Sequence, residues 1–296
     1  MTVLSLAATP TQVAQSAERS ADHTAGHAAD QWDPSAPTVS VVIPVRNEER
    51  NIEWVLDRLP AYVDEVVIVD GFSSDATIAK ARQLRPDVVV VQQLGSGKGA
   101  AMRTGFEVST GDYVVVLDAD CSMDPAEIDY YVDALAQGYQ FVKGSRFLRG
   151  GGSHDLTPLR TWGNRMLTRS VNVMWSVPFS DLCYGYVAFK RDVLDVLAPT
   201  ATGFEIETQM CVHAVKANLR IAEVPTIELP RKHGASNLNA WRDGKRILNL
   251  LIRERLSIEP IVVDALDRRG VGAPQGHAAL STAAATGLDS ACLGTD

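Results

Sequence analysis

Four short runs of β-branched residues set the first constraint: VSVVIPV from Val39, EVVIVD from Glu65, DVVVVQQ from Asp87 and YVVVLDAD from Tyr113. Each reads as a buried strand, and helical patterns stand between them. NEERNIEWVLDRL places Ile52, Val55, Leu56 and Leu59 at i, i+3, i+4 and i+7, one face of an amphipathic helix. Asn47 and Glu48 stand where they would cap it. Ser74 is placed to cap a helix through Arg85, and GKGAAMRTGFEV begins another. Pro125 opens a helix with Ile128, Val132 and Leu135 on one face. Strands alternating with helices predict an α/β fold with a mostly parallel sheet covered on both faces. In such sheets ligands bind outside the carboxyl ends of the strands. Asp70, Asp118 and Asp120 all stand at such ends.

The pattern covers 38–258. Residues 1–37 are polar and Ala-rich without periodicity and read as a disordered leader, and 259–296 read as a flexible tail. Within the folded part, 38–148 carries the regular alternation and 149–258, where it loosens, reads as a smaller acceptor-side region. The second half holds a basic helix, RTWGNRMLTRSVNVMW, a helix in GFEIETQMCVHAVKA and a strand pair in LRIAEVPTIEL broken by Pro225. A formal charge of -8 argues against a general nucleic-acid binder. The four cysteines are scattered, without a C-x-x-C pair, and read as reduced thiols of a cytoplasmic chain. No basic region precedes the apolar stretch at the N-terminus, and no apolar run approaches the about 20 residues of a membrane span. The segment Ala240 to Arg255 reads as a basic amphipathic helix, with Arg242, Arg246 and Arg253 on one stripe and Leu248, Leu251 and Ile252 on another. Such a helix suits either packing on its own domain or peripheral contact with an anionic membrane.

Asp118-Ala119-Asp120, with Asp124 close behind, puts like charges together at a strand end. Something positive belongs among them, and two carboxylates suit Mg²⁺ or Mn²⁺ holding substrate phosphates. Three other readings compete. The spacing of Asp118, Asp120, Ser122 and Asp124 matches calcium-loop positions 1, 3, 5 and 7, but Met123 stands where the loop needs Gly. An aspartyl-nucleophile phosphatase also places D-x-D after a strand, though Cys121-Ser122 replaces its usual Gly-Thr. A purely structural acidic turn is the third. QLGSGKGAA lacks the four-residue gap of a P-loop, yet Lys98 and free backbone N–H groups there would suit a phosphate. Asp70 in VIVDGFSSDAT is a turn former by default and a base-reading acceptor if the site is real.

VSVVIPVRNEERNI, VDEVVIVDGFSSDAT, GKGAAMRTGF, GDYVVVLDAD and FVKGSRF occur in this order. As an ordered set they resemble a family 2 glycosyltransferase of the GT-A fold, and within it the polyprenyl-phosphate sugar transferases of the dolichyl-phosphate mannose or glucose synthase type. The resemblance covers about Val39 to Arg255. It implies that Pro44, Arg46, Asn47 and Glu48 line a nucleotide pocket, that Asp70 contacts the base and that Lys98 lies near the nucleotide. Asp118 and Asp120, with Ala119 between them, would hold a divalent cation, Mg²⁺ or Mn²⁺, and the diphosphate. Arg146 would meet a phosphate. DLCYGY, with Asp181, would line the sugar site. Arg231 and Ser236 resemble an R-x-x-G-x-S loop that closes over donor and acceptor phosphates. The chain departs from that type at Ser122, where many of these enzymes have Gln, and in lacking C-terminal membrane spans.

The activity so implied is an inverting transfer of a hexose from a UDP- or GDP-linked sugar, most simply to a polyprenyl phosphate. An ionised phosphate acceptor needs no base. A hydroxyl acceptor on a small molecule or glycan would need one, and Asp181, Glu205 and Glu207 are the candidates. A phosphatase and a non-catalytic nucleotide-sugar binder are the rivals from other classes.

Overall fold

The apolar runs become strands. β2 (Val39–Val45), β3 (Glu65–Asp70), β4 (Val89–Gln92) and β5 (Tyr113–Val116) lie parallel in the order β5-β2-β3-β4. The sheet continues past β5 through β8 (Val187–Lys190), β6 (Phe141–Ser145) and β9 (Ile221–Pro225), with β8 antiparallel to both its neighbours. One sheet therefore runs through both halves of the folded chain. A separate ribbon pairs β7 (Gly152–Ser153) with β10 (Ile227–Glu228). The structure is a computed structural model describing residues 4–5, 36–234 and 240–257. These belong to one compact unit, Met1–Val263, and the second unit, Asp264–Asp296, lies outside them. Of the segment read as a leader, Leu4–Ser5 forms β1, parallel to Ala222–Glu223 at the sheet edge. The remaining leader and the tail lie almost wholly outside the described residues.

Both faces of the sheet are apolar because both are covered. Val39, Val41, Ile43 and Val45 join a cluster with α1 (Ile52–Leu56), α2 (Thr77–Leu84) and α4 (Ile128–Ala136), whose Ile128 and Leu135 are buried. Val42, Val67 and Val69 face the opposite cluster with α3 (Lys98–Val108), α5 (Pro158–Trp175), α6 (Leu194–Leu197), α7 (Glu205–Lys216) and α8 (Ala240–Leu256). A fully buried Val or Ile contributes about 1.5–3 kcal/mol relative to an exposed one, so the alternation within β2 alone strongly fixes its register. α3 lies unusually close to the sheet at Gly105, where a Cβ would come within 2.3 Å of Val42 Cγ1.

Local details differ from the sequence reading where side chains choose other partners. α1 is only one turn long, and Leu59 packs on the core from beyond its end. Neither Asn47 nor Glu48 caps it by side chain. The Glu48 carbonyl accepts the N–H groups of Asn51 and Ile52 instead. Ser74 does not cap α2. That helix begins at Thr77, whose N–H is taken by Asp75 Oδ1 at 3.0 Å. Pro125 opens a 3₁₀ turn, Pro125–Glu127, that leads into α4, and Asp124 caps it by accepting from Ala126 N at 3.1 Å. β9 and β10 are separated at Pro225 but pair with β6 and β7 rather than with each other. β8 was not legible as a strand in the sequence, and its antiparallel insertion depends on β5 and β6.

Candidate active site

The carboxyl ends of β2, β3 and β5 meet at one edge. The loop after β2 turns at Asn47, which is left-handed with φ 59°. Its N–H donates to Ser73 Oγ at 3.0 Å, and its Oδ1 accepts Ser74 N at 2.8 Å, so the loops after β2 and β3 are laced together. Asp70 ends β3, where its Oδ1 accepts Ser73 N at 2.9 Å and its Oδ2 accepts Gln92 Nε2 at 3.4 Å. Pro44 is half-buried and Arg46 exposed on the same rim. Glu48 is also half-buried, its N–H on Thr77 Oγ1 at 2.8 Å and its Oε2 accepting Asn51 Nδ2 at 2.6 Å. Burial pushes its carboxyl above the usual range. The Asn51 hydrogen bond opposes this, Asp120 and Asp118 add to it, and Arg231 opposes it. That coupling places Glu48 electrostatically beside the acidic turn.

Asp118 follows β5. Lys98 Nζ lies 2.7 Å from its carboxylate and 2.8 Å from Glu207 Oε1, bridging α3, the turn after β5 and the first turn of α7. Burial alone would lower the Lys98 pKa, but Asp118 and Glu207 outweigh it and hold the ammonium protonated well above the ordinary lysine range. For Asp118 burial is the larger force and raises the carboxyl; Lys98 pulls it down, and Asp120 and Glu207 push it up. Gly185, in DLCYGY, makes room for this triad: a Cβ there would stand 2.7 Å from Lys98 Nζ and 2.8 Å from Glu207 Oε1. Two backbone amides at the start of α3 are already engaged within the chain. Gly99 N and Ala100 N both donate to Thr202 O, at 2.9 and 3.2 Å. Lys98 is likewise a partly buried counter-ion of carboxylates rather than a solvated side chain.

Asp120 is buried, and its two oxygens have different partners. Oδ1 accepts Ser122 N at 3.0 Å and Ser122 Oγ at 2.6 Å. Oδ2 lies 2.8 Å from Arg231 Nη1. Cys121 between them adopts φ 66°, which turns the chain tightly enough for Ser122 to reach back. Ala119, also buried, packs into the core cluster under the turn. The Arg231 loop is docked on α1, with Asn51 Nδ2 donating to His233 O at 3.2 Å and Lys232 Nζ 4.6 Å above the Trp54 ring. Arg231 Nε is buried without a hydrogen-bond partner, 3.5 Å from Asp155 Oδ2. Ser236 lies outside the described residues.

Two expected site residues are engaged elsewhere. Arg146 is buried, with Nε on Asp181 Oδ2 at 2.7 Å, Nη2 on Asp181 Oδ1 at 3.1 Å and Nη1 on Glu228 Oε2 at 3.1 Å. Its guanidinium is engaged by two carboxylates rather than turned toward the acidic turn. Asp181 has no exposed surface and also accepts Asn164 Nδ2 at 2.8 Å. Burial raises its carboxyl, but Arg146 and Lys143 more than reverse this and hold it below the usual range. A buried, low-pKa carboxylate with its lone pairs in use is poorly suited to take a proton as a general base. Glu207 is tied to Lys98. Glu205 keeps one oxygen, Oε1, on Gly203 N at 3.3 Å; its Oε2 is buried without a partner, at a groove shared with Arg246, Asn249 and Arg253 of α8.

Residues 40–197 match the model of glycosyl transferase family 2. The chain belongs to glycosyl transferase family 2. It is 34% identical to glycosyltransferase AglJ of Haloferax volcanii over 77% of this chain and 75% of that protein. It is 27% identical to the dolichol-phosphate mannosyltransferase of Pyrococcus furiosus over 72% of this chain and 61% of that protein, so it spans less than two thirds of this second relative. Among solved structures, glucosyl-3-phosphoglycerate synthase of Mycobacterium tuberculosis, in complex with Mn²⁺, UDP and phosphoglyceric acid, superposes with a TM-score of 0.61 at 23% identity, covering 79% of this chain and 86% of that one. The fold is GT-A, and the family 2 chain is a glycosyltransferase. The phosphatase and non-catalytic readings fall away with that membership.

The acidic turn of this family 2 enzyme fits a divalent cation by the chemistry of its donors, two hard carboxylate oxygens. Among the described residues no group of three or more His, Cys, Asp or Glu side chains is arranged to hold a metal ion. A pair of carboxylates suits a cation that draws its remaining ligands from a diphosphate and water. Sequence reasoning missed four roles near the turn: Gly185 makes room for Lys98, Thr202 O takes the Gly99 and Ala100 N–H groups, Ser122 donates to Asp120, and Glu127 holds Thr226 and Ile227. Only Ser122, two residues from Asp120, had a local signal.

Proposed function

We propose that this family 2 enzyme is a metal-dependent inverting glycosyltransferase that moves a hexose from a nucleotide-sugar to a polyprenyl phosphate. The observation that carries the reading is the Asp118–Asp120 turn, each carboxylate balanced by a cation from a different part of the chain, Lys98 and Arg231. The donor half would be 38–148, with Asn47, Glu48 and Asp70 at the nucleotide, and the acceptor half 149–258. Mg²⁺ or Mn²⁺ held by Asp118 and Asp120 would supply electrostatic stabilisation of the leaving diphosphate. Arg231, on a loop that also meets α1, would move its guanidinium between Asp120 and substrate phosphate, a group its planar fork pairs with well. An acceptor phosphate oxygen attacks the anomeric carbon as the bond to the diphosphate breaks, and the diphosphate leaves with the electron pair. No proton needs to be removed.

The engagement of the candidate bases supports the phosphate acceptor. Asp181 is locked to Arg146 and Glu207 to Lys98. Glu205, with its unpartnered Oε2, is the one observation that favours a hydroxyl acceptor instead. The lipid reading draws further support from the name of the Pyrococcus relative and from the outer surface. Leu159, Trp162, Met166 and Val173 form an exposed stripe on α5, and Trp241, Leu248, Ile252 and Leu256 are exposed on α8. α5 carries three arginines and no acidic residue. No helix among the described residues is long and apolar enough to cross a membrane, so the proposed contact is peripheral, at a cytoplasmic membrane face. Transfer of radiolabelled hexose from UDP- and GDP-sugars to a short polyprenyl phosphate, against the same polyprenol without phosphate, tests the reading. Equal use of the free alcohol, with loss of transfer in Glu205→Gln, would replace it with the hydroxyl reading.

A further inference from the structure

Arg231 does not reach Asp120 by chance of a loop. It is delivered by the segment Thr226–Pro230, which is tied to the turn after Asp120 at several points. Glu127 Oε1 accepts Ile227 N at 3.0 Å, and Oε2 accepts the Thr226 hydroxyl. Leu229 N donates to Ser122 O at 2.9 Å. The far side of the segment is held by Glu228, which takes Arg146 Nη1 and the Ser153 hydroxyl. Glu127 is the last residue of the 3₁₀ turn that follows the acidic turn, so it spans directly from the cation-binding turn to the root of the Arg231 segment.

Nothing about packing asks for a carboxylate there. Among the described residues Glu127 has no ion-pair partner, and its surroundings are the rings of Tyr131, Tyr184 and Tyr186 and the like charge of Asp124. Burial pushes its carboxyl up to about 7, a cost that an apolar side chain would not incur. What a carboxylate offers is two acceptor oxygens in one plane, which hold a side-chain donor and a backbone donor of adjacent residues at once.

We propose that Glu127 is a positioning residue: through Thr226 and Ile227 it fixes where the Arg231 segment leaves the acidic turn, and so sets Arg231 against Asp120. The transfer readout below rests on the function proposed above; the cation readout does not.

The test is a double-mutant cycle on the full chain, reading free Mn²⁺ by electron paramagnetic resonance with no substrate present. Arg231 competes with a cation for Asp120, so Arg231→Ala is expected to tighten Mn²⁺ binding by about tenfold, the scale of one charge-assisted hydrogen bond. Glu127→Ala should tighten it by about threefold or more, and the double variant should be no tighter than Arg231→Ala alone, the non-additivity of residues acting through one contact. Glu127→Gln, which keeps one acceptor oxygen, should lie within about twofold of the parent chain. Thr226→Val removes one donor from the opposite side, and it carries the same cycle should Glu127→Ala fail to melt cooperatively. In the transfer assay Glu127→Ala should raise the acceptor KM by about fivefold with the donor KM within about twofold. Effects of Glu127 and Arg231 that multiply independently, or Mn²⁺ binding unchanged in both Glu127→Ala and Thr226→Val, would overturn the proposal. A parent chain that transfers to no polyprenyl phosphate would sink the functional reading and leave the Mn²⁺ cycle to be read by itself.

Discussion

Lys98 Nζ stands 2.8 Å from Glu207 Oε1 while it also holds Asp118 at 2.7 Å, so one ammonium neutralises carboxylates from two separate elements. Removing it leaves buried Glu207 and the partly buried Asp118 without a counter-ion. Lys98→Met should therefore destabilise the fold by about 3–5 kcal/mol, the cost of breaking a buried pair from one side. The urea midpoint measures this. A shift equivalent to less than about 1 kcal/mol would mean that the three groups are effectively solvated.

Gly185 bears on the same triad from the opposite side. Gly185→Ala places a methyl where the ammonium and Glu207 now sit, and the Lys98 side chain has to move. Stability should fall by about 1–3 kcal/mol, as for other overpacked sites. In the background of Glu207→Ala, which opens space, the penalty should shrink. Equal penalties in both backgrounds, measured by thermal unfolding, would show that the clash lies elsewhere.

Asp120→Asn keeps the shape and the Ser122 contacts but halves the charge of the turn. Nucleotide binding measured by calorimetry with Mn²⁺ should weaken by about tenfold or more, and transfer should fall further, because the developing diphosphate charge loses part of its stabilisation. Undiminished transfer by the parent enzyme in EDTA would remove the cation from the mechanism.

A pH dependence follows from Glu223, which is fully buried beneath the Ser180–Asp181 turn. Burial pushes its carboxyl up to about 7, against the pull of the Ser180 and Asp181 N–H groups and of Lys143. The native state thus binds a proton that the unfolded chain has released. The stabilising contribution is complete below the ordinary glutamate range, about pH 4.3, and is lost as pH rises through about 7. Glu223→Gln has no such loss. The difference in Tm, variant minus parent, should grow more favourable to the variant from about pH 5 to about pH 8. A difference that stays flat across that range would show that Glu223 is ionised throughout.

The buried Arg146–Asp181 pair predicts a contrast with Lys98. Arg146→Lys keeps the charge but loses the planar fork that meets both Asp181 oxygens. Stability should drop by about 2 kcal/mol or more, as for a lost charge-assisted hydrogen bond, while nucleotide affinity measured by calorimetry on the folded fraction stays near the parent value. A large loss of nucleotide affinity at unchanged stability would return Arg146 to phosphate binding.

The sequence by itself determined the parallel sheet, its two covered faces and the placing of Asp70, Asp118 and Asp120 at strand ends. These follow from periodicity and from residues adjacent in the chain, and such signals survive in one dimension. The same is true of Pro125, which the sequence placed at the start of a helical segment. Which cation meets which carboxylate was decided only by the tertiary structure. Lys98, Arg146 and Arg231 are all arginines or lysines near Gly or Ser in the sequence, yet one balances a buried triad, one saturates Asp181 and Glu228, and one faces Asp120. Glu127 had no local signal at all, because its donors lie 99 and 100 residues away. Ion pairs depend on distance and desolvation in three dimensions, and the antiparallel insertion of β8 and the return of β9 and β10 bring these distant charges within reach of each other.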